Sequence, residues 1–432
     1  MRFYTKKNAL LGEQYEKGKH ETGLEVVIIP KAHRKAFALF GTRYGSIDRV
    51  FKTQNDEDFI TVPDGIAHFL EHKLFENEDG SDTFAHFAAL GAQCNAFTSN
   101  EMTAYLFSAT DRYYENLEVL LRFVTTPYFT EETVQKELGI IGQEIRMCDD
   151  SPFRQLYYGL LEALFVNHNV KVDIAGTEET IAEITPEILY RCYHTFYNPS
   201  NMLLVLCGPW EKSRVSAVVE RLIPKGEKIH ISTRFPKEPK RIHKKKIVKE
   251  FPVALPLFAV GMKEDDLRKR AKPLEILKMQ AEHEILSDLL FGKSGRFYNE
   301  LYEEGLIGDK FSIEYNLSRS YGYLLLYGES RKPEAIFRRI RQVVQNAKTY
   351  LNREDFERSR RSVYSRSVQD WNSTSEIAES FMDFAFSGTD MMDYPDVIAS
   401  ITPEDLIERI KKSYHAERLV LSVVKPSKED KK

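Results

Sequence analysis

Residues 184–209 read ITPEILYRCYHTFYNPSNMLLVLCGP, and residues 401–426 read ITPEDLIERIKKSYHAERLVLSVVKP. The two stretches align without a gap at an offset of 217 residues, half of the 432-residue chain. Ile184-Thr185-Pro186-Glu187 matches Ile401-Thr402-Pro403-Glu404, Tyr197 matches Tyr414, and Pro209 matches Pro426. Each copy opens with the same helix-start chemistry. A threonine offers its side-chain oxygen to a free amide, a proline takes the first helical position, and a glutamate sits in the electropositive first turn. An amphipathic helix and then a short apolar strand follow. A pattern that recurs at half the chain length marks two copies of one mixed domain in tandem. The expected fold is α+β, with two homologous α/β domains at 1–228 and 253–432.

Between them, residues 229–252 are rich in Lys, Arg and Pro and read as a basic linker, with Lys244-Lys245-Lys246 as a solvated run. The whole chain has 61 basic and 65 acidic residues, a net charge of −4, so it lacks the basic excess of a nucleic-acid binder. At 42% hydrophobic and 29% charged it is not a disordered chain. No apolar run approaches the ~18 residues of a membrane span. Residues 1–19 are polar throughout and hold no apolar stretch of a secretory leader. The expectation is a cytoplasmic protein with neither membrane nor nucleic acid as partner. Its four cysteines, Cys94, Cys148, Cys192 and Cys207, form no C-x-x-C pair and read as buried thiols.

In the first copy, strands are expected near 24–30, 36–47, 93–98 and 102–109. Helices are expected near 64–76, 82–90, 112–125, 131–147 and 153–166. The first of these helices carries the strongest chemical signal, His68-Phe69-Leu70-Glu71-His72. Asp64 is the expected N-cap, and Ile66, Ala67, Phe69 and Leu70 supply an apolar face. His68 and His72 are four residues apart, so their imidazoles share a face one turn apart and can grip one metal ion. Glu71 borders the same side. The order H-x-x-E-H is a zinc-hydrolase pattern. Catalytic zinc wants a third protein ligand and a free position. Residues 131–147, EETVQKELGIIGQEIRM, form a helix with an apolar stripe at Val134, Leu138, Ile141 and Ile145. Glu137 and Glu144 flank that stripe two turns apart, and either can turn inward to a metal. Asp149 and Asp150 precede Ser151-Pro152, a helix start, and read as capping residues.

With HFLEH (68–72), NAFTSNEMTAY (95–105) and ELGIIGQEIRMCDDSP (137–152) in view, the chain resembles the pitrilysin/insulinase family of inverted zincins, which includes the mitochondrial processing peptidases. The resemblance implies two related domains, each a mostly antiparallel sheet flanked by helices, forming half of a clamshell. It implies that His68, His72 and Glu144 bind one Zn²⁺. It implies Glu71 and Glu137 as the catalytic carboxylates, Glu71 as general base and Glu137 as a support on the second helix. It also implies that Asn95 and Ala96 lie on a strand that captures the peptide backbone by edge addition. Arg296, in SGRFYNELYEEGLIGDKFS (294–312), matches a substrate-binding arginine of the second copy. The tyrosine that should follow Gly305-Leu306 is absent. The second copy brings Glu284, Ser287 and Asp288 near the motif positions, with His283 alone beside them, and so is non-catalytic.

The expected function is zinc-dependent endopeptidase activity on peptides. Family members close four such domains around a chamber, and this chain supplies two. A homologous second subunit is therefore the expected partner, a heterodimer more readily than a homodimer. Two rivals stand beside this reading. One is a non-catalytic assembly or scaffold subunit, since fold does not fix function. The other is a processing enzyme dedicated to one precursor peptide.

Overall fold

The computed structural model describes residues 1–267 and 272–427. It divides into two compact units that interleave along the chain. Unit 1 comprises 1–146, 173–235 and 370–386; unit 2 comprises 147–172, 236–369 and 387–432.

Unit 1 contains the strands β1 (Arg2–Asn8), β2 (Glu13–Lys19), β3 (Glu25–Pro30), β4 (Ala36–Thr42), β5 (Val50–Thr53), β6 (Ile60–Thr61), β7 (Gln93–Thr98), β8 (Thr103–Ala109), β9 (Met202–Gly208) and β10 (Ile231–Thr233). Seven of them form one sheet in the order β1-β2-β3-β9-β4-β8-β7. Only β3 and β9 run parallel; every other neighbour in that sheet is antiparallel. Strands β4 and β9 are buried along their whole length, as expected of central strands with both faces covered.

Unit 2 contains β11 (Lys246–Phe251), β12 (Leu257–Lys263), β13 (Ser312–Leu317), β14 (Gly322–Glu329) and β15 (Leu419–Pro426), in the order β11-β15-β12-β14-β13. Here β11 and β15 are the parallel pair, and the rest are antiparallel. Strand for strand this repeats β3-β9-β4-β8-β7, and β9 and β15 are the strands of the two aligned sequence copies. Thr185 and Thr402 cap their helices as expected, accepting from the amides of Ile188 and Asp405, with Pro186 and Pro403 in the first turn.

Each sheet is covered by a helix from the other half of the chain. In unit 2 the helix Pro152–Leu164 packs on β15, β12 and β11; in unit 1 the helix Thr374–Phe386 packs on β9 and β4. Two aligned glycines make room for them. A Cβ on Gly261 of β12 would come within 2.9 Å of Leu164, and one on Gly41 of β4 would overlap the Met382 sulfur. Gly41 pairs with Leu203, and Gly261 with Val420, the matching residue of the repeat.

Residues 229–252, read above as a linker, hold two strands. Strand β10 pairs with β5, and β11 alternates exposed and half-buried residues beside β15. The N-terminal segment also differs from its polar appearance. Strands β1 and β2 form an edge hairpin whose Tyr15 is buried edge-on against Phe381, ring centroids 5.0 Å apart.

Candidate metal centre

The helix Ile66–Lys73 carries the H-x-x-E-H motif. Ile66, Ala67, Phe69 and Leu70 are buried in the core of unit 1. Burying side chains as large as Phe69 and Leu70 stabilises the helix's seat by roughly 1.5–3 kcal/mol each. That face turned down, His68, Glu71 and His72 face the other way. The helix does not begin at Asp64 as expected. Gly65 is its N-cap, in the left-handed region at φ 90°, and the Asp64 carboxylate instead accepts from Arg49 Nε at 2.9 Å. Only glycine fits there, because a Cβ would stand 2.4 Å from the Ala175 carbonyl oxygen.

The second component is the helix Glu131–Asp149, anchored by Val134, Ile141 and Ile145. It ends at Asp149, and Ser151 rather than either aspartate caps the next helix, accepting from the Arg154 amide. Both glutamates that flank its apolar stripe reach the motif. Glu144 Oε1 lies 3.6 Å from His68 Nε2, and its Oε2 lies 3.4 Å from His72 Nε2. Glu137 is buried and accepts a hydrogen bond at 3.0 Å from His72 Nδ1. A carboxylate can only accept, so Nδ1 carries the proton; in the neutral ring the lone pair is then on Nε2, the atom that faces Glu144.

The donor set fits a zinc ion. One atom from each of His68, His72 and Glu144 lies within 4.8 Å of the others, the only such group of three among the described residues. Ligands at about 2.0–2.2 Å in a tetrahedron stand about 3.3–3.6 Å apart. The two imidazole–carboxylate separations fall in that range, and are too long for hydrogen bonds. The Glu137–His72 bond has the form of the carboxylate support by which zinc-binding histidines hold their tautomer.

Glu71 is buried beside this group, and Thr98 Oγ1 donates to its Oε2 at 2.5 Å. Burial pushes the Glu71 carboxyl above its ordinary range, with help from Glu144 and against the pull of Thr98 and His72. For His72, burial acts downward, but the Glu137 hydrogen bond and the three surrounding carboxylates outweigh it and raise its pKa. Such a surplus of negative charge around two imidazoles suits a cation. A cleft of about 760 Å³ opens next to the motif, lined in part by Phe75, Phe84 and Tyr128. Asn95 and Ala96 line it too, on β7, which is the open edge of the seven-stranded sheet.

Arg296 belongs to unit 2. It is exposed at the start of the helix Arg296–Glu303, and its Nε donates to Glu300 at 2.6 Å. His283 is buried in unit 2, its Nε2 2.8 Å from Glu264 and its ring stacked on Tyr315. Thr98 escaped the sequence reading although NAFTSNEMTAY was in view. The signal was period-two alternation, which puts Thr98 on the same face of β7 as Ala96.

A duplicated α+β chain whose H-x-x-E-H helix meets a glutamate from a separate helix has the architecture of the inverted zincins. The comparisons agree. The family model described as "Insulinase (Peptidase family M16)" matches residues 62–178, and that described as "Peptidase M16 inactive domain" matches 183–363. The "Uncharacterized zinc protease YmfH" of Bacillus subtilis (strain 168) is 40% identical over 412 residues, 94% of this chain and 96% of its own. The crystal structure of an M16-like protein from Alicyclobacillus acidocaldarius superposes with a TM-score of 0.91 at 34% identity, covering 99% of both chains. Pitrilysin shares the fold at a TM-score of 0.76 and 13% identity; the match takes in 98% of this chain and 46% of pitrilysin. The chain belongs to the insulinase family, peptidase family M16. No helix among the described residues is long and apolar enough to cross a membrane.

Proposed function

We propose that this chain is a zinc-dependent endopeptidase that hydrolyses peptides. The observation that carries the reading is the convergence of His68, His72 and Glu144 from two separate helices, with a buried carboxylate, Glu71, beside them. His68, His72 and Glu144 would hold the zinc, which would supply a Lewis acid to polarise a carbonyl and lower the pKa of a water toward ~7. Glu71 takes the proton of the attacking water and hands it to the leaving amine. Its desolvated, upward-shifted carboxyl suits a group that must both accept and release a proton. Glu137 keeps the His72 proton on Nδ1. The exposed edge of β7 receives the peptide backbone as an added strand through Asn95 and Ala96.

A match to just under half of pitrilysin's length supports a facing half from a second, homologous subunit. The missing tyrosine after Gly305-Leu306 favours a partner different from this chain, and Arg296 would serve the substrate in that assembly. The site lies in the cytoplasm on this reading. A scaffold subunit is disfavoured because the complete donor set has no use in it.

Metal analysis should find one zinc per chain, and quenched fluorescent peptides should be cut by the chain alone or together with a homologous partner. Glu71→Gln should keep zinc and lose cleavage. A Glu71→Gln protein that cuts at the wild-type rate refutes the assignment. Full activity of the isolated chain as a homodimer refutes the heterodimer.

A further inference from the structure

The general base is held from behind. Glu71 Oε2 accepts the Thr98 hydroxyl at 2.5 Å, and Thr98 is the last residue of β7. Thr98 Oγ1 also stands 3.4 Å from Thr103 Oγ1. The Thr103 hydroxyl donates to the Tyr44 carbonyl at 2.9 Å and is fully buried. A threonine hydroxyl has one proton. With Thr103's proton on Tyr44, Thr98's has two possible acceptors, an anionic oxygen at 2.5 Å and a neutral one at 3.4 Å. The short contact to the carboxylate takes it. Behind these threonines the tyrosine hydroxyls of Tyr105 and Tyr197, both buried, bond to each other at 2.8 Å.

We infer that Thr98 is the positioning residue of the general base: its hydroxyl occupies Oε2, fixes the plane of the Glu71 carboxylate and leaves Oε1 as the proton-accepting oxygen. The inference rests on the hydrolase reading for its catalytic consequence, and on the hydrogen bond alone for the orientation. Thr98 sits two and three residues beyond Ala96 and Asn95 on one strand, so the element proposed to receive the peptide is also the one that orients the base.

The test uses the full chain as wild type, Thr98→Val and Thr98→Ser. Valine matches threonine in shape and removes only the hydroxyl; serine restores it. Crystal structures should show one Glu71 carboxylate orientation in wild type and Thr98→Ser, and a rotated or divided one in Thr98→Val. Zinc content should stay at one per chain in all three, which also reports correct folding. In peptide cleavage, Thr98→Val should lose roughly tenfold to a hundredfold in kcat with KM little changed, the usual scale for an outer partner of a metal site. Thr98→Ser should recover most of that loss. An unmoved Glu71 in Thr98→Val overturns the inference, as does a serine variant as impaired as the valine. A wild-type chain that cleaves nothing, either alone or with a homologous partner subunit, refutes the hydrolase reading, while the Glu71 orientation still decides the role of Thr98.

Discussion

Removing Glu137 probes how far the proposed metal centre depends on a residue that is not among its three candidate donors. Its carboxylate is buried, with a side-chain exposure of 8%, and takes the Nδ1 proton of His72 at 3.0 Å. A hydrogen bond to a charged group contributes about 1.5–3 kcal/mol. At ~1.4 kcal/mol per decade, Glu137→Ala should raise the zinc Kd by roughly 10–100-fold. Glu137→Gln keeps an acceptor oxygen but not the charge. A neutral bond contributes about 0.5–1.5 kcal/mol, so its loss should stay within about tenfold. Glu132 is exposed on the same helix, and Glu132→Ala removes equal charge without touching His72. That control should leave Kd nearly unchanged. The assay is competition between the metal-free protein and a chromophoric zinc chelator at neutral pH. If Glu137→Ala binds zinc as tightly as wild type, or if Glu132→Ala weakens it equally, the hydrogen bond is not what orients His72.

Two further predictions concern the frame around the site. Gly65→Ala should destabilise unit 1 by at least ~1–2 kcal/mol from its left-handed backbone alone, and weaken zinc binding. Gly139→Ala, in the glutamate helix with open space at the Cβ position, should instead stabilise by about 0.5–1 kcal/mol; urea titrations of both variants check the opposite signs. Unit 2 should be acid-sensitive through His168. Burial above all, with Lys263 and against Glu238, pulls that imidazole down to about 4, and its Nδ1 accepts the Val170 amide at 3.1 Å. An unfolded histidine titrates near ~6.5, so the unfolded chain takes up the proton first. Stability is complete above that pH and falls by up to roughly 3 kcal/mol as the pH drops toward 4. His168→Gln should flatten this slope; an equally steep loss in that variant assigns the acid response to another group.

The parts of the molecule that sequence made legible are those encoded by short-range rules. The repeated Thr-Pro-Glu caps mark the duplication because capping is local, and i, i+4 spacing puts His68 and His72 on one face whatever the tertiary fold. Glu144 was harder. Helical periodicity left Glu137 and Glu144 equivalent, and only family resemblance assigned Glu144 as the expected ligand and Glu137 as its expected support. Other features depend on distant partners. Strand β11 is assigned by pairing with β15, far along the chain, and its lysines hide it in a basic stretch. The hairpin β1-β2 looks polar because most of its side chains are not deeply buried. Asp64 has the chemistry of an N-cap, yet Arg49 claims it. Amphipathicity declares that the helices Pro152–Leu164 and Thr374–Phe386 cover something; it does not say which sheet.

That last feature governs biogenesis. By residue 235 a ribosome has delivered every strand of the seven-stranded sheet, but the helix that roofs β4 and β9 begins only at Thr374. At ~5–20 residues per second the nascent sheet waits roughly 7–30 s with an oily surface uncovered. A gene divided after residue 235 would yield two sticky fragments, each deprived of its cover, and co-expression rather than separate purification would be the route to reassembling them.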